Sequence, residues 1–119
     1  MAGPDDVLAR YGGEEFIVLL RDTPASGAQV VAEQLRAIVQ GLHIENVDCP
    51  ERVVTISIGV AGAELTDEAA ALRLVEEADR ALYEAKCAGR NLVRLATERT
   101  TDEVASALII TGRHRRLGG

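Results

Sequence analysis

The sequence has 119 residues, enough for one domain with one core, and its 47% hydrophobic and 27% charged content argues against wholesale disorder. Thirteen Lys and Arg against 19 Asp and Glu leave a net charge of −6, and Phe16, Tyr11 and Tyr83 are its few aromatic residues, so neither DNA nor RNA is an expected partner. Its apolar runs, residues 16–20 and 53–61, are too short for a membrane segment, no signal-peptide pattern opens the chain, and Cys49 and Cys87 lack ligand-like spacing; a cytoplasmic protein with two free thiols is expected.

Residues 7–20 read as a β-hairpin. A strand-like stretch ending at Tyr11 meets Gly12-Gly13, which supplies the positive φ angles of a tight turn. The second strand, opening on Glu14-Glu15, is apolar on both faces from Phe16 to Leu20 and belongs inside a sheet covered by helices. Thr23 suits a helix N-cap and Pro24 the first helical position; Ala28, Val31, Leu35, Ile38 and Val39 then recur at helical spacing up to Gly41. Residues 42–51 read as a loop. Residues 52–61 form a β-branched strand, with Val54, Ile56, Ile58 and Val60 on one face and the small Thr55, Ser57 and Gly59 on the other. A second helix starts at Asp67 or Glu68 and runs to Ala88, with Leu72, Val75, Ala78, Leu82 and Ala85 as its apolar stripe. Gly89 ends it, and residues 91–95 form a short strand. Residues 97–119, with one apolar patch at 104–110, read as a flexible tail. The order ββαβαβ, opening on a hairpin, predicts an α+β domain with a mixed sheet flanked by helices.

Two strings carry chemistry. In Tyr11-Gly12-Gly13-Glu14-Glu15-Phe16, the glycines leave bare backbone for a ligand to approach, and two carboxylates follow. Adjacent strand residues point to opposite faces, so one carboxylate could ligate a divalent cation while the other faces a neighbouring element. A plain hairpin with solvated glutamates is the simpler alternative. Near the second helix end, Tyr83, Lys86 and Arg90 fall at i, i+3 and i+7. Lys86, the sole lysine of the chain, and Arg90 could clamp a polyphosphate, or simply complement the helix dipole.

Taken together, the strings Arg10-Tyr11-Gly12-Gly13-Glu14-Glu15-Phe16, Val54-Thr55-Ile56-Ser57-Ile58-Gly59-Val60-Ala61 and the run from Ala78 to Asn91 resemble the GGDEF family, the diguanylate cyclases of bacterial signalling. The resemblance covers residues 6–96. It implies a palm or nucleotide-cyclase-like fold with a ferredoxin-like core. It also implies condensation of two GTP into cyclic di-GMP, with Mg²⁺ or Mn²⁺, across a homodimer or a pair with another GGDEF domain. By this resemblance Glu14 is the catalytic metal-binding acid, Gly12 and Gly13 the turn that admits the nucleotide, and Lys86 and Arg90 the triphosphate contacts. Glu15 is a second acid. Asp6 is the remnant of the inhibitory Arg-x-x-Asp site, whose Arg place holds Gly3.

The family's first strand, central in the palm and bearing a further metal-binding Asp, stands before the hairpin, as does the helical segment that reads guanine; 11 residues precede Gly12 here. Residues 1–96 are therefore expected to be the C-terminal part of the domain, lacking the first central strand. The gap between the strands at 15–20 and 52–61 has three expected outcomes: direct closure, filling by a second chain, or marginal folding. Self-association through the open edge is the expectation. A catalytically inactive fragment serving as a binding or interaction module is the alternative to the enzyme.

Overall fold

The computed structural model describes residues 7–10, 14–47, 52–96 and 105–113. Strands β1 (Val7–Arg10), β2 (Glu15–Arg21), β3 (Thr55–Ala63), β4 (Val93–Leu95) and β5 (Ala105–Arg113) form one mixed sheet, and helices α1 (Ala25–Gly41) and α2 (Glu68–Cys87) follow β2 and β3. The sheet order is β1-β2-β5-β3-β4. Its β3–β4 pair is parallel and the other three pairs are antiparallel. This is the expected α+β architecture of a partial palm.

Period-two alternation assigns each face. Ile17, Ala61, Ala107 and Ile109 pack with Leu74, Ala78 and Leu82 of α2. Leu20, Ile58, Val60 and Leu108 pack with Ala28 and Ala32 of α1. The helices thus cover opposite faces, which is why β2 is apolar on both sides.

The gap expected between β2 and β3 is filled from within the chain. β5 lies there, antiparallel to both neighbours, with Ile17 opposite Ile109 on one side and Ile58 opposite Ile110 on the other. The expectation of a flexible tail is corrected over Ala105–Arg113, and the β2 and β3 edges expected to stand open are both paired with β5. The physical reason is twofold. Two inner strands with unpaired donors and acceptors demand a partner. The Ala-Ser-Ala-Leu-Ile-Ile run is small or apolar on both faces, as a central strand must be. Ala107, Leu108 and Ile109 are completely buried. The Ser106 hydroxyl donates to the Thr23 carbonyl at 2.7 Å, pinning the start of β5 beside the β2–α1 turn.

Local details depart from expectation in instructive ways. Thr23 does not cap α1: its hydroxyl donates back to the Arg21 carbonyl, and Pro24 holds the cap position without a side-chain bond. Gly41 is the last helical residue, and His43 takes the left-handed turn instead. α1 buries Ala25, Ala28 and Ala32, whereas Leu35 and Ile38 are exposed. In α2 it is Leu74 that is buried, and Leu72 lies in solvent. Of the two expected starts, Asp67 is the N-cap of α2, accepting from the Ala70 amide at 2.8 Å, and the helix begins at Glu68. The loop at 42–51 carries a bridge between Glu45 and Val53. Asp6, Gly12, Gly13 and Cys49 lie outside the described residues.

Candidate functional site

The carboxylates and the lysine meet at one end of the sheet. Glu15 opens β2 in the same alternation as Ile17, on the α2 face, while Glu14 precedes the strand and is exposed. Lys86 stands in the last turn of α2. Its Nζ donates to Glu15 Oε2 at 3.0 Å, a half-buried ion pair joining residues 71 apart in sequence. Across the sheet, Glu15 pairs with Thr111 and Thr111 with Ser57, so one cross-strand row carries a carboxylate and two buried hydroxyls.

The end of α2 is built by a glycine turn. Gly89 has φ 122°; its amide donates to the Lys86 carbonyl and the Arg90 amide to the Ala85 carbonyl, the paired bonds of a Schellman cap. Arg90 and Asn91 continue in the left-handed region, at φ 64° and 52°. Such backbone persists where surroundings hold it. Here the Asn91 amide donates to Ser57 Oγ at 3.0 Å, and Arg36 Nη1 donates to Asn91 Oδ1 at 3.1 Å. Arg36 of α1, oriented by Glu33 and Gln40, thus secures the loop that carries Arg90. Sequence reasoning missed Arg36, because its contact with Asn91 spans 55 residues.

The helical i, i+3, i+7 spacing of Tyr83, Lys86 and Arg90 does not carry through to Arg90. The helix stops at Cys87, so Arg90 lies beyond it in left-handed backbone rather than one turn along. Tyr83 is exposed, and its hydrogen bond with Cys87 holds the phenol protonated above the usual tyrosine range. Lys86 is paired with Glu15, a contact that neither string announces by itself. Among the described residues no ion pair holds the Arg90 guanidinium.

Among the described residues no three His, Cys, Asp or Glu cluster as a metal cage. A magnesium ion bound with substrate phosphates takes one or two protein carboxylates and fills its remaining positions with water and phosphate oxygen. Exposed Glu14 fits that smaller demand. β5 adds no carboxylate anywhere along its Ala-Ser-Ala-Leu-Ile-Ile-Thr-Gly-Arg sequence.

The profile of the family described as "Diguanylate cyclase, GGDEF domain" matches residues 1–92. The chain belongs to the GGDEF family. It is 50% identical over 91 residues to diguanylate cyclase A of Treponema denticola, covering 76% of this chain and 24% of that protein. It is 48% identical over 94 residues to the probable diguanylate cyclase DgcT of Escherichia coli, covering 76% and 20%. Against the response regulator PleD of Caulobacter vibrioides it is 44% identical over 92 residues, covering 74% and 19%. The GGDEF match ends at residue 92, ahead of β5, so the strand that completes the sheet comes from outside the matched segment. The chain spans a quarter or less of the length of these relatives.

Proposed function

We propose that residues 1–96 are the part of a diguanylate cyclase domain that runs from the hairpin onward, and that the chain binds GTP for condensation of two molecules into cyclic di-GMP. The observation that supports this most is the placement of Lys86, the sole lysine, at the carboxylate-bearing start of β2. In this reading Glu14 holds Mg²⁺ or Mn²⁺, Lys86 and Arg90 offset triphosphate charge, and Gly12 and Gly13 let the nucleotide approach. The cation, when bound, offsets phosphate charge and eases deprotonation of the attacking 3′-hydroxyl. Each 3′-oxygen bonds to the α-phosphorus of the other GTP, and the α–β phosphoanhydride breaks to release pyrophosphate. Two domains, as a homodimer or with another GGDEF domain, present the two nucleotides to each other. Asp6 without an arginine at Gly3 leaves the product-feedback site without its cation. No helix among the described residues is long and apolar enough to cross a membrane, in keeping with action in the cytoplasm.

The absence of a carboxylate from β5 favours a second reading, a nucleotide-binding or interaction module without turnover. Incubation of the purified chain with GTP and Mg²⁺, with chromatography of products and equilibrium dialysis of GTP, separates the two. The enzyme reading expects cyclic di-GMP that disappears in Glu14→Gln. Binding weakened by Lys86→Met but no product supports the module. No GTP binding at all overturns the enzyme and the nucleotide-binding module and leaves the interaction module.

A further inference from the structure

We infer that Glu15 is a positioning residue for Lys86 rather than a second metal ligand; this rests on the proposed triphosphate role of Lys86. A lysine ammonium rides on a flexible four-carbon stem and needs an anchor to wait at one place. Glu15 provides it. Its carboxylate rises on the α2 face, in alternation with Ile17, and that face is covered by Leu74, Ala78 and Leu82. The last turn of α2 therefore ends above it, and the Nζ–Oε2 distance is 3.0 Å.

The neighbours on that row are uncharged. Thr111 of β5 is 4% exposed and Ser57 of β3 is 2% exposed, so Glu15 carries the negative charge of the row and Lys86 balances it. A carboxylate already paired with an ammonium in a half-buried place is poorly available to a hard cation, which needs anionic oxygen. The pair leaves Lys86 competent: its side chain retains 30% exposure, and an ammonium has three N–H donors, of which Glu15 engages one. Glu14, beside it in sequence, precedes the strand in the turn and is exposed. The two glutamates thus divide the work, Glu14 toward a cation and Glu15 toward the lysine.

The single lysine makes the test direct. With ¹³C,¹⁵N-lysine incorporated, Lys86 gives the one lysine side-chain signal of the chain. The expected result is an ordered ammonium signal in the native chain, lost in Glu15→Gln and retained in Glu14→Gln. Glu15→Asp, one methylene shorter, recovers part of the order. Titration with Mg²⁺ and GTP should shift the native signal, with severalfold weaker GTP binding in Glu15→Gln. Lys86 order unchanged in Glu15→Gln, or lost equally in Glu14→Gln, overturns the assignment. If circular dichroism shows Glu15→Gln unfolded, Glu15→Asp decides, and an unchanged signal there overturns it. An ordered, Glu15-dependent lysine that GTP leaves unmoved supports the pair and overturns the triphosphate reading instead.

Discussion

Gly59 illustrates how one residue sets the distance between layers. A Cβ there would collide with the Ala78 carbonyl oxygen and the Leu82 amide nitrogen, both helix backbone, which cannot swing aside as a side chain can. Gly59→Ala should therefore cost about 1–3 kcal/mol, the usual penalty of overpacking, read from the urea midpoint. Thr55 presents the opposite case. It is fully buried, and among the described residues its Oγ1 has no hydrogen-bond partner. Thr55→Val keeps the shape and removes an unsatisfied hydroxyl, so stability should hold or rise by about 1 kcal/mol in the same measurement. At the surface, the bond to Cys87 raises the Tyr83 titration, since it favours the protonated phenol. In Cys87→Ala, absorbance titration of the phenolate should show Tyr83 ionising at lower pH than in the native chain.

At the scale of elements, β5 is the decisive one. If it were a tail, Ile109→Ala would change stability by no more than about 0.5 kcal/mol, as surface substitutions do. As a fully buried central-strand residue it should cost about 2–5 kcal/mol, and the amides of Ala105–Arg113 should exchange with solvent as slowly as those of β3. α2 depends on its cap more than α1 does. Asp67→Ala removes the acceptor for the Ala70 amide and should lower stability by about 1 kcal/mol, whereas Thr23 offers α1 no such bond to lose.

For the whole molecule, the consequence of β5 is closure. The sheet now ends on short strands, β1 of four residues and β4 of three, which limits edge pairing with other chains. Opening the middle should restore the hazard. Leu108→Pro deletes a ladder donor and clashes within the central strand, leaving β2 and β3 unpaired. Light scattering should then show association that grows with concentration, with loss of cooperative unfolding, while the native chain keeps its cooperative transition.

Much was determined by local sequence. The Gly-Gly hairpin signal located β1 and β2, β-branching located β3, and Asp67 and Gly89 bracketed α2, because strand alternation, capping and left-handed turns act within a few residues. The GGDEF resemblance was legible for a related reason: its strings at 10–16, 54–61 and 78–91 are contiguous. What only tertiary structure decided involved partners far apart in the chain. Nothing near Lys86 names Glu15 as its counter-ion, and nothing near Arg36 names Asn91; each pair forms because the packing of a helix brings distant residues to one end of the sheet. The fate of residues 105–113 was hidden most deeply. Their apolar run is as compatible with a tail patch as with a strand, and its conformation is set by the unpaired backbone of β2 and β3 on either side. A central strand takes its structure from its neighbours' hydrogen bonds, and those neighbours lie 42 to 96 residues away in the registered pairs, such as Ala63 with Ala105 and Glu15 with Thr111, beyond the reach of any local pattern.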